Sequence, residues 1–227
     1  MRFGIIGASE DEIIPFIEQV QDKKIETMAK LNFYSGTFND IEVVALYCGV
    51  CKVNAAIATQ LLIDKFNITH VIVTGVAGGI DNRLKIGDTI ISTEVAHHDV
   101  EDEILTEYHP WMDSIYFKGD NNLLTLSKEM LRGTEFPQKV YFGKMVTGET
   151  FINVEGRNKI IEKYNPLCVD METASIAQVC YANEVPFIAI RSISDTEQEH
   201  GIEVFETNCS VAAKNSVQVL QKILSIL

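Results

Sequence analysis

The segment CVDMETASIAQVCYANEVPFIAIRSISD, residues 168–195, predicts a short strand, a helix and a second strand. Small and apolar residues recur with helical spacing from Ala174 to Cys180, and Pro186 ends that helix. The run 187–193 that follows is apolar except at Arg191 and Ser192. Such runs are typical of strands buried on both faces of an α/β sheet.

Acidic residues stand at the ends of these predicted elements. Asp170, Met171 and Glu172 lie where the first strand turns into the helix, and Ser194 and Asp195 end the second strand. Open α/β sheets bind their ligands at the carboxyl ends of their strands. We therefore expect carboxylates from the helix start and from the strand end to share one crevice.

The rest of the chain alternates in the same way, which predicts a three-layer α/β sandwich around a mixed sheet. No linker or change of composition divides it, so we expect a single domain over residues 1–227. The predicted strands cover 2–8, 41–47, 70–74, 87–92 and 140–146, and the predicted helices cover 10–19, 53–66, 121–133, 155–163 and 205–226.

Composition limits the classes of partner. A net charge of −13 argues against binding to nucleic acid or to an anionic membrane surface. The first apolar run, 3–6, is too short for a signal peptide, and no segment approaches the ~20 apolar residues of a membrane span. Five cysteines, an odd number, favour reduced thiols in a cytoplasmic protein.

Two motifs invite a metal interpretation, and neither is complete. Cys48 and Cys51 have CxxC spacing, but a second pair that would complete a zinc site is missing. His97 and His98 are adjacent, and on a strand they would point to opposite faces. We expect structural roles for these residues and no bound metal.

Two glycine-bearing turns follow predicted strands, GASEDE at 7–12 and TGVAGG at 74–79. Neither has the spacing of a dinucleotide-binding or nucleoside-triphosphate loop. Glycine allows a ligand to approach the backbone closely, although a tight strand-to-helix turn would explain it equally. The acidic GASEDE turn would repel a phosphate and could activate a water molecule, although acidic residues are also ordinary in a first helical turn.

Eight motifs occur in order across nearly the whole chain: GIIGASEDE, CGVCKVNAA, TGVAGG, GDTIIS, HDV, TGETFIN, VDMETASIAQVC and RSISD. Together they resemble the 5′-methylthioadenosine/S-adenosylhomocysteine nucleosidases of the purine/uridine phosphorylase superfamily. The resemblance implies a homodimer with a mixed-sheet α/β sandwich fold and sites near the subunit interface. It implies hydrolysis of the N-glycosidic bond of an adenine nucleoside, without a cofactor.

The resemblance assigns two catalytic carboxylates. Glu12 is similar to the family's general base for the attacking water, and Asp195 to the acid that protonates N7 of adenine. Cleavage of an N-riboside through an oxocarbenium-like transition state needs such a pair on opposite sides of the bond. Asp195 must hold a proton at neutral pH, so we expect its pKa to be raised.

The remaining implied site residues contact the substrate. By resemblance, the ribose is held by Met171 and Glu172, and adenine stacks on Phe151 and contacts the backbone of Ile152. The resemblance also implies that Arg191 and Ser194 are polar residues supporting the water and the acid, and that Val50 and Phe205 form apolar walls. Val76 belongs to the same set and stands where the family commonly has serine.

Other departures concern the 5′ end of the substrate. Ser9 replaces a usual methionine beside the sugar. The family's HDxDxTAFGY run appears as HDVEDEILTEYHPWM, residues 98–112, which carries Asp102, Glu103 and Glu107. Two interpretations remain open: the enzyme prefers a polar or cationic 5′ group, or the segment is repacked and Asp102 points to water.

Two other functions are compatible with these motifs. A phosphorylase of the same fold would transfer the ribose to phosphate, but it needs cationic residues where the GASEDE turn is acidic. A non-catalytic nucleoside-binding protein would not need Glu12, Glu172 and Asp195 together.

Overall fold

The computed structural model describes residues 1–152 and 154–227, which form a mixed sheet with helices on both faces. The strands are β1 (Arg2–Gly7), β2 (Gln21–Met28), β3 (Leu31–Phe38), β4 (Ile41–Tyr47), β5 (His70–Gly79), β6 (Thr89–His97), β7 (Phe117–Lys118), β8 (Val140–Thr147), β9 (Cys168–Asp170) and β10 (Phe187–Asp195). The helices are α1 (Glu10–Ile17), α2 (Lys52–Phe66), α3 (Asp102–Glu107), α4 (Asn121–Arg132), α5 (Val154–Tyr164), α6 (Thr173–Ala182) and α7 (Ile202–Leu224).

The strand order is β10-β6-β8-β9-β5-β1-β4-β3-β2, and β7 pairs with β6. Since β10 also pairs with β5, the strands β5, β10, β6, β8 and β9 close into a ring. The pairs β1–β4, β1–β5 and β5–β10 are parallel, whereas the pairs β6–β10, β5–β9 and β3–β4 are antiparallel. The predicted mixed sheet is therefore confirmed.

The helices bury their apolar stripes on the two faces of the sheet, which confirms the predicted three layers. Removing such side chains from water stabilises the fold by about 1.5–3 kcal/mol for each large one. One face buries Ala55, Ala58, Leu62 and Phe66 of α2 with Ala174, Ile176, Ala177 and Cys180 of α6. The other face buries Ile13, Phe16 and Ile17 of α1, Leu123, Leu124 and Met130 of α4, and Val217, Leu220, Ile223 and Leu224 of α7.

Several elements differ from the sequence-based expectations. The hairpin β2–β3 was not predicted, because almost every residue of β2 is exposed and the strand lacks a buried alternating face. The TGVAGG segment, expected as a turn, continues β5 to Gly79, since β10 pairs with residues 74–78 and β9 pairs with residues 78–79. Among the described residues, no helix has the length and apolarity that crossing a membrane requires.

Candidate active site

The site lies at a change of partner along one edge of β5. On this edge β1 pairs with residues 70–73 of β5, and β9 pairs with residues 78–79. The four residues in between, 74–77, have no strand partner on that edge within the described part of the chain. Such an interruption between strands opens a crevice at which α/β proteins bind ligands.

Glu12, on the first turn of α1, is directed into this crevice and is 3% exposed. Its Oε2 accepts hydrogen bonds from the N–H groups of Ala8 (2.7 Å) and Ser9 (2.9 Å), and its Oε1 accepts one from Val76 N–H (2.8 Å). Gly75, with φ +153°, is required beside it, because a Cβ there would overlap Glu12 Oε1. Three backbone donors therefore orient one carboxylate.

A single buried guanidinium connects three buried carboxylates. Arg191, 1% exposed, places Nη1 3.3 Å from Glu12 Oε1, Nε 3.2 Å from Asp170 Oδ2 and Nη2 3.2 Å from Glu172 Oε2. Burial alone would lower the pKa of Arg191, but the three carboxylates outweigh it and raise that pKa. The guanidinium is therefore permanently charged and holds the carboxylates together.

Glu172 precedes the first turn of α6 and bridges two segments. Its Oε1 accepts a hydrogen bond from Cys51 N–H at 2.9 Å, while Oε2 faces Arg191. Burial, together with Asp170 and Glu12, raises the pKa of Glu172 to about 7, although Arg191 opposes the shift. One positive charge does not balance three negative ones here.

The family resemblance assigned no role to Asp170, although it is the third carboxylate of the cluster. Its Oδ1 accepts hydrogen bonds from Thr147 Oγ1 (2.6 Å) and from the N–H groups of Glu172 (3.1 Å) and Thr173 (3.0 Å). Asp170 thereby satisfies the free amides at the start of α6 and orients Glu172. Its place beside Glu172 at the predicted helix start was the available signal.

Asp195 ends β10 opposite Gly78, beyond a bulge in the pairing with β5. Ser194 Oγ donates to Asp195 Oδ1 at 2.7 Å. Burial raises the pKa of Asp195, which is the direction an acid needs, while Ser194, Arg157 and His200 oppose it. Glu12 thus contacts β5 at Val76 and Asp195 pairs with it at Gly78, two residues or ~7 Å further along the strand.

Apolar residues flank the carboxylates. Val76 is buried against α7, where Phe205 packs on the same cluster, and the Phe205 ring meets the Phe151 ring edge-on at 6.1 Å. Phe151 is itself 69% exposed, whereas Ile152 packs beside Val146. The structure therefore brings Val76, Phe205 and Phe151 together at one wall.

The other three predicted residues, Met171, Ser194 and Val50, each lie next to a residue of the carboxylate site in the sequence. Met171 lies between Asp170 and Glu172 and is half-buried, and Ser194 is buried beside Asp195. Val50 is 48% exposed and precedes Cys51, whose N–H contacts Glu172.

The 98–112 segment includes the short helix α3. Asp102 begins α3 and forms a 2.8 Å ion pair with Lys163 of α5, in which each side chain is 44% exposed. Asp102 therefore has a partner within the chain and faces solvent.

The CxxC and histidine motifs have structural surroundings. Cys48 and Cys51 are free thiols, and burial raises the pKa of both. His97 is buried and bonded to Gln178 at 3.0 Å, and His98 lies against Gly148. Within residues 1–152 and 154–227, no group of three or more His, Cys, Asp or Glu is arranged to hold a metal ion.

Comparison with known proteins gives concordant results. Residues 2–225 match the family model described as the phosphorylase superfamily. A 5′-methylthioadenosine/S-adenosylhomocysteine nucleosidase of Oceanobacillus iheyensis is 36% identical over 225 residues, 97% of each chain. Among solved structures, the nucleosidase of Colwellia psychrerythraea in complex with adenine has a TM-score of 0.90 and 35% identity, covering 99% of this chain and 95% of that one. The nucleosidase of Neisseria meningitidis in complex with methylthio-immucillin-A has a TM-score of 0.91 and 33% identity, covering 100% of this chain and 99% of that one.

Proposed function

Because this chain belongs to the phosphorylase superfamily and, within it, to the 5′-methylthioadenosine/S-adenosylhomocysteine nucleosidases, we propose that it hydrolyses the N-glycosidic bond of these adenine nucleosides. The products are adenine and the corresponding 5-thioribose. The observation that carries the proposal is that Glu12 of α1 and Asp195 of β10 both contact the same strand, β5. The two β5 positions that they contact, Val76 and Gly78, lie ~7 Å apart, so a base and an acid stand beside the same short stretch of the sheet, as cleavage of a bond between them requires.

The two carboxylates have complementary roles in this reaction. Glu12 removes a proton from the water that attacks C1′, and its three backbone donors keep its oxygens in place. Asp195 transfers its proton to N7 of adenine, so that the base leaves as a neutral molecule. Each proton transfer contributes roughly 10²–10⁴-fold to the rate.

Binding of the nucleoside uses the surrounding residues. Glu172 accepts hydrogen bonds from the ribose hydroxyls, beside Met171, and Arg191 and Asp170 keep Glu172 in position. Phe151 and the backbone of Ile152 hold adenine. The apolar walls are completed by Val50, Val76 and Phe205. Ser194 supports the acid.

The charges favour water over phosphate as the acceptor. The three nitrogens of the Arg191 guanidinium contact carboxylates of the protein, and Nε and Nη1 also donate to Thr173 Oγ1 (3.1 Å) and Val76 O (3.2 Å). A phosphate would have to displace one of these partners and enter beside an excess of negative charge. The comparisons likewise do not favour the phosphorylase alternative.

Adenine release from 5′-methylthioadenosine, measured with and without phosphate, tests the function. We expect equal rates in both buffers, and a loss of at least ~10²-fold in kcat for Asp195→Asn and for Glu12→Gln. Asp11→Asn, an exposed neighbour on α1, is the matched control and should retain activity. Formation of a sugar 1-phosphate that depends on added phosphate would establish the phosphorylase instead.

We further propose that the chain acts as a homodimer in the cytoplasm. Exposed apolar residues on α2 and in the 98–112 segment support an interface between two copies. Five free cysteines support a reducing compartment.

A further inference from the structure

Arg157 of α5 is a buried cation beside the proposed acid and has no role in the mechanism above. It is 9% exposed, and its Nη1 and Nη2 donate to the carbonyl oxygens of Gly79 (2.8 Å) and Ile80 (2.6 Å), where β5 ends. Its buried Nε has no hydrogen-bond acceptor among the described residues. The guanidinium is thus fixed by two bonds at the strand end that faces Asp195.

The turn after Asp195 presents a carboxylate to this guanidinium. Thr196 N–H donates to Glu199 O at 2.8 Å, which closes the turn, and Glu197 Oε2 lies 3.6 Å from Arg157 Nε. Gly79, whose carbonyl accepts from Arg157, also packs against this segment: a Cβ there would lie 3.4 Å from Asp195 O. Arg157 therefore contacts both the strand and the turn on either side of the acid.

The charges around Asp195, like the contacts, connect Arg157 to the proposed acid. Burial raises the pKa of Asp195, whereas the Ser194 hydroxyl, Arg157 and His200 lower it. His200 lies on the turn itself, with Nδ1 2.9 Å from Glu197 O, and Glu197 counteracts the effect of burial on the pKa of Arg157. Arg157 is thus a fixed positive charge that favours the ionised form of Asp195.

We propose, building on the proposed function, that Arg157 is a positioning residue which anchors the Asp195 turn through Glu197 and stabilises the carboxylate that Asp195 becomes when its proton passes to N7. If Asp195 were a weaker acid, it would donate its proton to adenine less readily. If the turn after Asp195 were not anchored, its carboxyl group could move away from N7 of adenine. Arg157 thereby makes Asp195 a stronger acid and narrows the range of pH in which it stays protonated.

The dependence of kcat/KM on pH separates this charge effect from a merely structural one. We expect kcat/KM for 5′-methylthioadenosine to fall on the alkaline side as Asp195 loses its proton. Arg157→Gln should move that decline about 0.5–1 pH unit upward and lower kcat several-fold below it, since a neighbouring positive charge is lost. Arg157→Lys keeps the charge and should leave the decline near its wild-type position. The Arg157→Gln shift should persist in a His200→Gln background.

Amide hydrogen exchange tests the anchoring independently of activity. Glu197→Gln should accelerate exchange at Thr196 N–H, whereas Glu199→Gln, a neighbouring carboxylate on the same turn, should not. An unchanged exchange rate in Glu197→Gln would overturn the anchor, and an unmoved alkaline decline in active Arg157→Gln would overturn the charge effect. Failure of the wild type to release adenine would refute the proposed function and leave the exchange result standing.

Discussion

At the scale of the single residue, the backbone of Cys51 is adapted to the site at a cost in stability. Its φ of 80° and ψ of 164° lie in a region that glycine adopts readily and other residues rarely. In this conformation Cys51 N–H donates to Glu172 Oε1. The interaction with the proposed ribose carboxylate therefore coincides with backbone strain of about 1–3 kcal/mol.

Replacement of Cys51 by glycine should relieve this strain. We expect Cys51→Gly to raise the free energy of unfolding by about 1 kcal/mol, because the relief exceeds the ~0.4–1 kcal/mol that glycine loses through the more flexible unfolded chain. Cys51→Ala keeps the strain and is the control, for which no gain is expected. Urea denaturation measures both, and an equal gain in the alanine variant would assign the effect to the thiol.

Glu172 should make stability depend on pH. Its pKa, raised to about 7 from 4.5, means that the folded state binds the proton more tightly than the unfolded one. Proton binding by Glu172 therefore adds to the free energy of unfolding. The added stability is complete below about pH 4.5, is lost as pH rises through 7, and amounts to at most about 3 kcal/mol. Glu172→Gln cannot ionise, so its free energy of unfolding should decrease less than that of wild type between pH 5 and 8.

A matched series isolates the source of that pH dependence. Asp195, whose pKa is also raised, contributes with the same sign, so Asp195→Asn should remove a separate part. Exposed Asp11→Asn should leave the pH dependence unchanged. A Glu172→Gln variant with the full wild-type pH dependence would show that Glu172 is ionised equally in the folded and unfolded states.

At the scale of elements, three segments are tied by a ring of polar contacts. Lys52 Nζ, on the first residue of α2, contacts both oxygens of Asp99 at 2.9 and 3.0 Å. Asp99 Oδ2 accepts from Glu149 N–H (3.0 Å), and Glu149 Oε1 accepts from Lys52 N–H (2.9 Å). The start of α2 is thus joined to the segments that follow β6 and β8, and Phe151 lies two residues beyond Glu149.

Breaking this ring should weaken substrate binding more than chemistry. We expect Asp99→Asn and Lys52→Met each to raise KM several-fold with kcat nearly unchanged, because the proposed adenine platform loses its support. A double-mutant cycle should give a coupling of about 0.5–1 kcal/mol in stability for this partly buried pair. The exposed pair Lys159–Glu155, with 3.0 Å separation, is the control and should give almost none.

At the scale of the whole molecule, α2 and the 98–112 segment expose several large apolar side chains. Val53 and Ile57, one turn apart on α2, are 69% and 47% exposed, and Ile104, Tyr108 and Trp111 are also exposed. The Lys52–Asp99 pair places α2 beside the segment that precedes these three residues. A second copy of the chain would cover such a surface.

The single tryptophan, Trp111, would report on the proposed dimer interface. We expect a dimer by sedimentation, and a monomer with red-shifted Trp111 emission for the pair Val53→Asp and Ile57→Lys. Ile25→Lys on the exposed strand β2 is the control and should stay dimeric. A wild type that sediments as a monomer at micromolar concentration would contradict the proposed dimer.

The sequence by itself determined the family, the α/β class and most of the central elements. The buried strands were predictable because largely apolar runs such as 187–193 favour burial, and Pro186 marks the boundary between α6 and β10. The same patterns placed Glu172 at a helix start and Asp195 at a strand end, where the structure has them. The exposed strand β2 escaped prediction because no burial pattern distinguishes it from a loop.

Only the tertiary structure decided which groups meet. Arg191 lies 179 residues from Glu12 along the chain, and the convergence of Glu12, Asp170 and Glu172 on its guanidinium follows from the order of the strands. Asp102 was ambiguous in sequence and is paired in the folded chain with Lys163 of α5. Local patterns report how each segment is buried, whereas charge partners are set by contacts between distant segments, and these form only when the sheet closes.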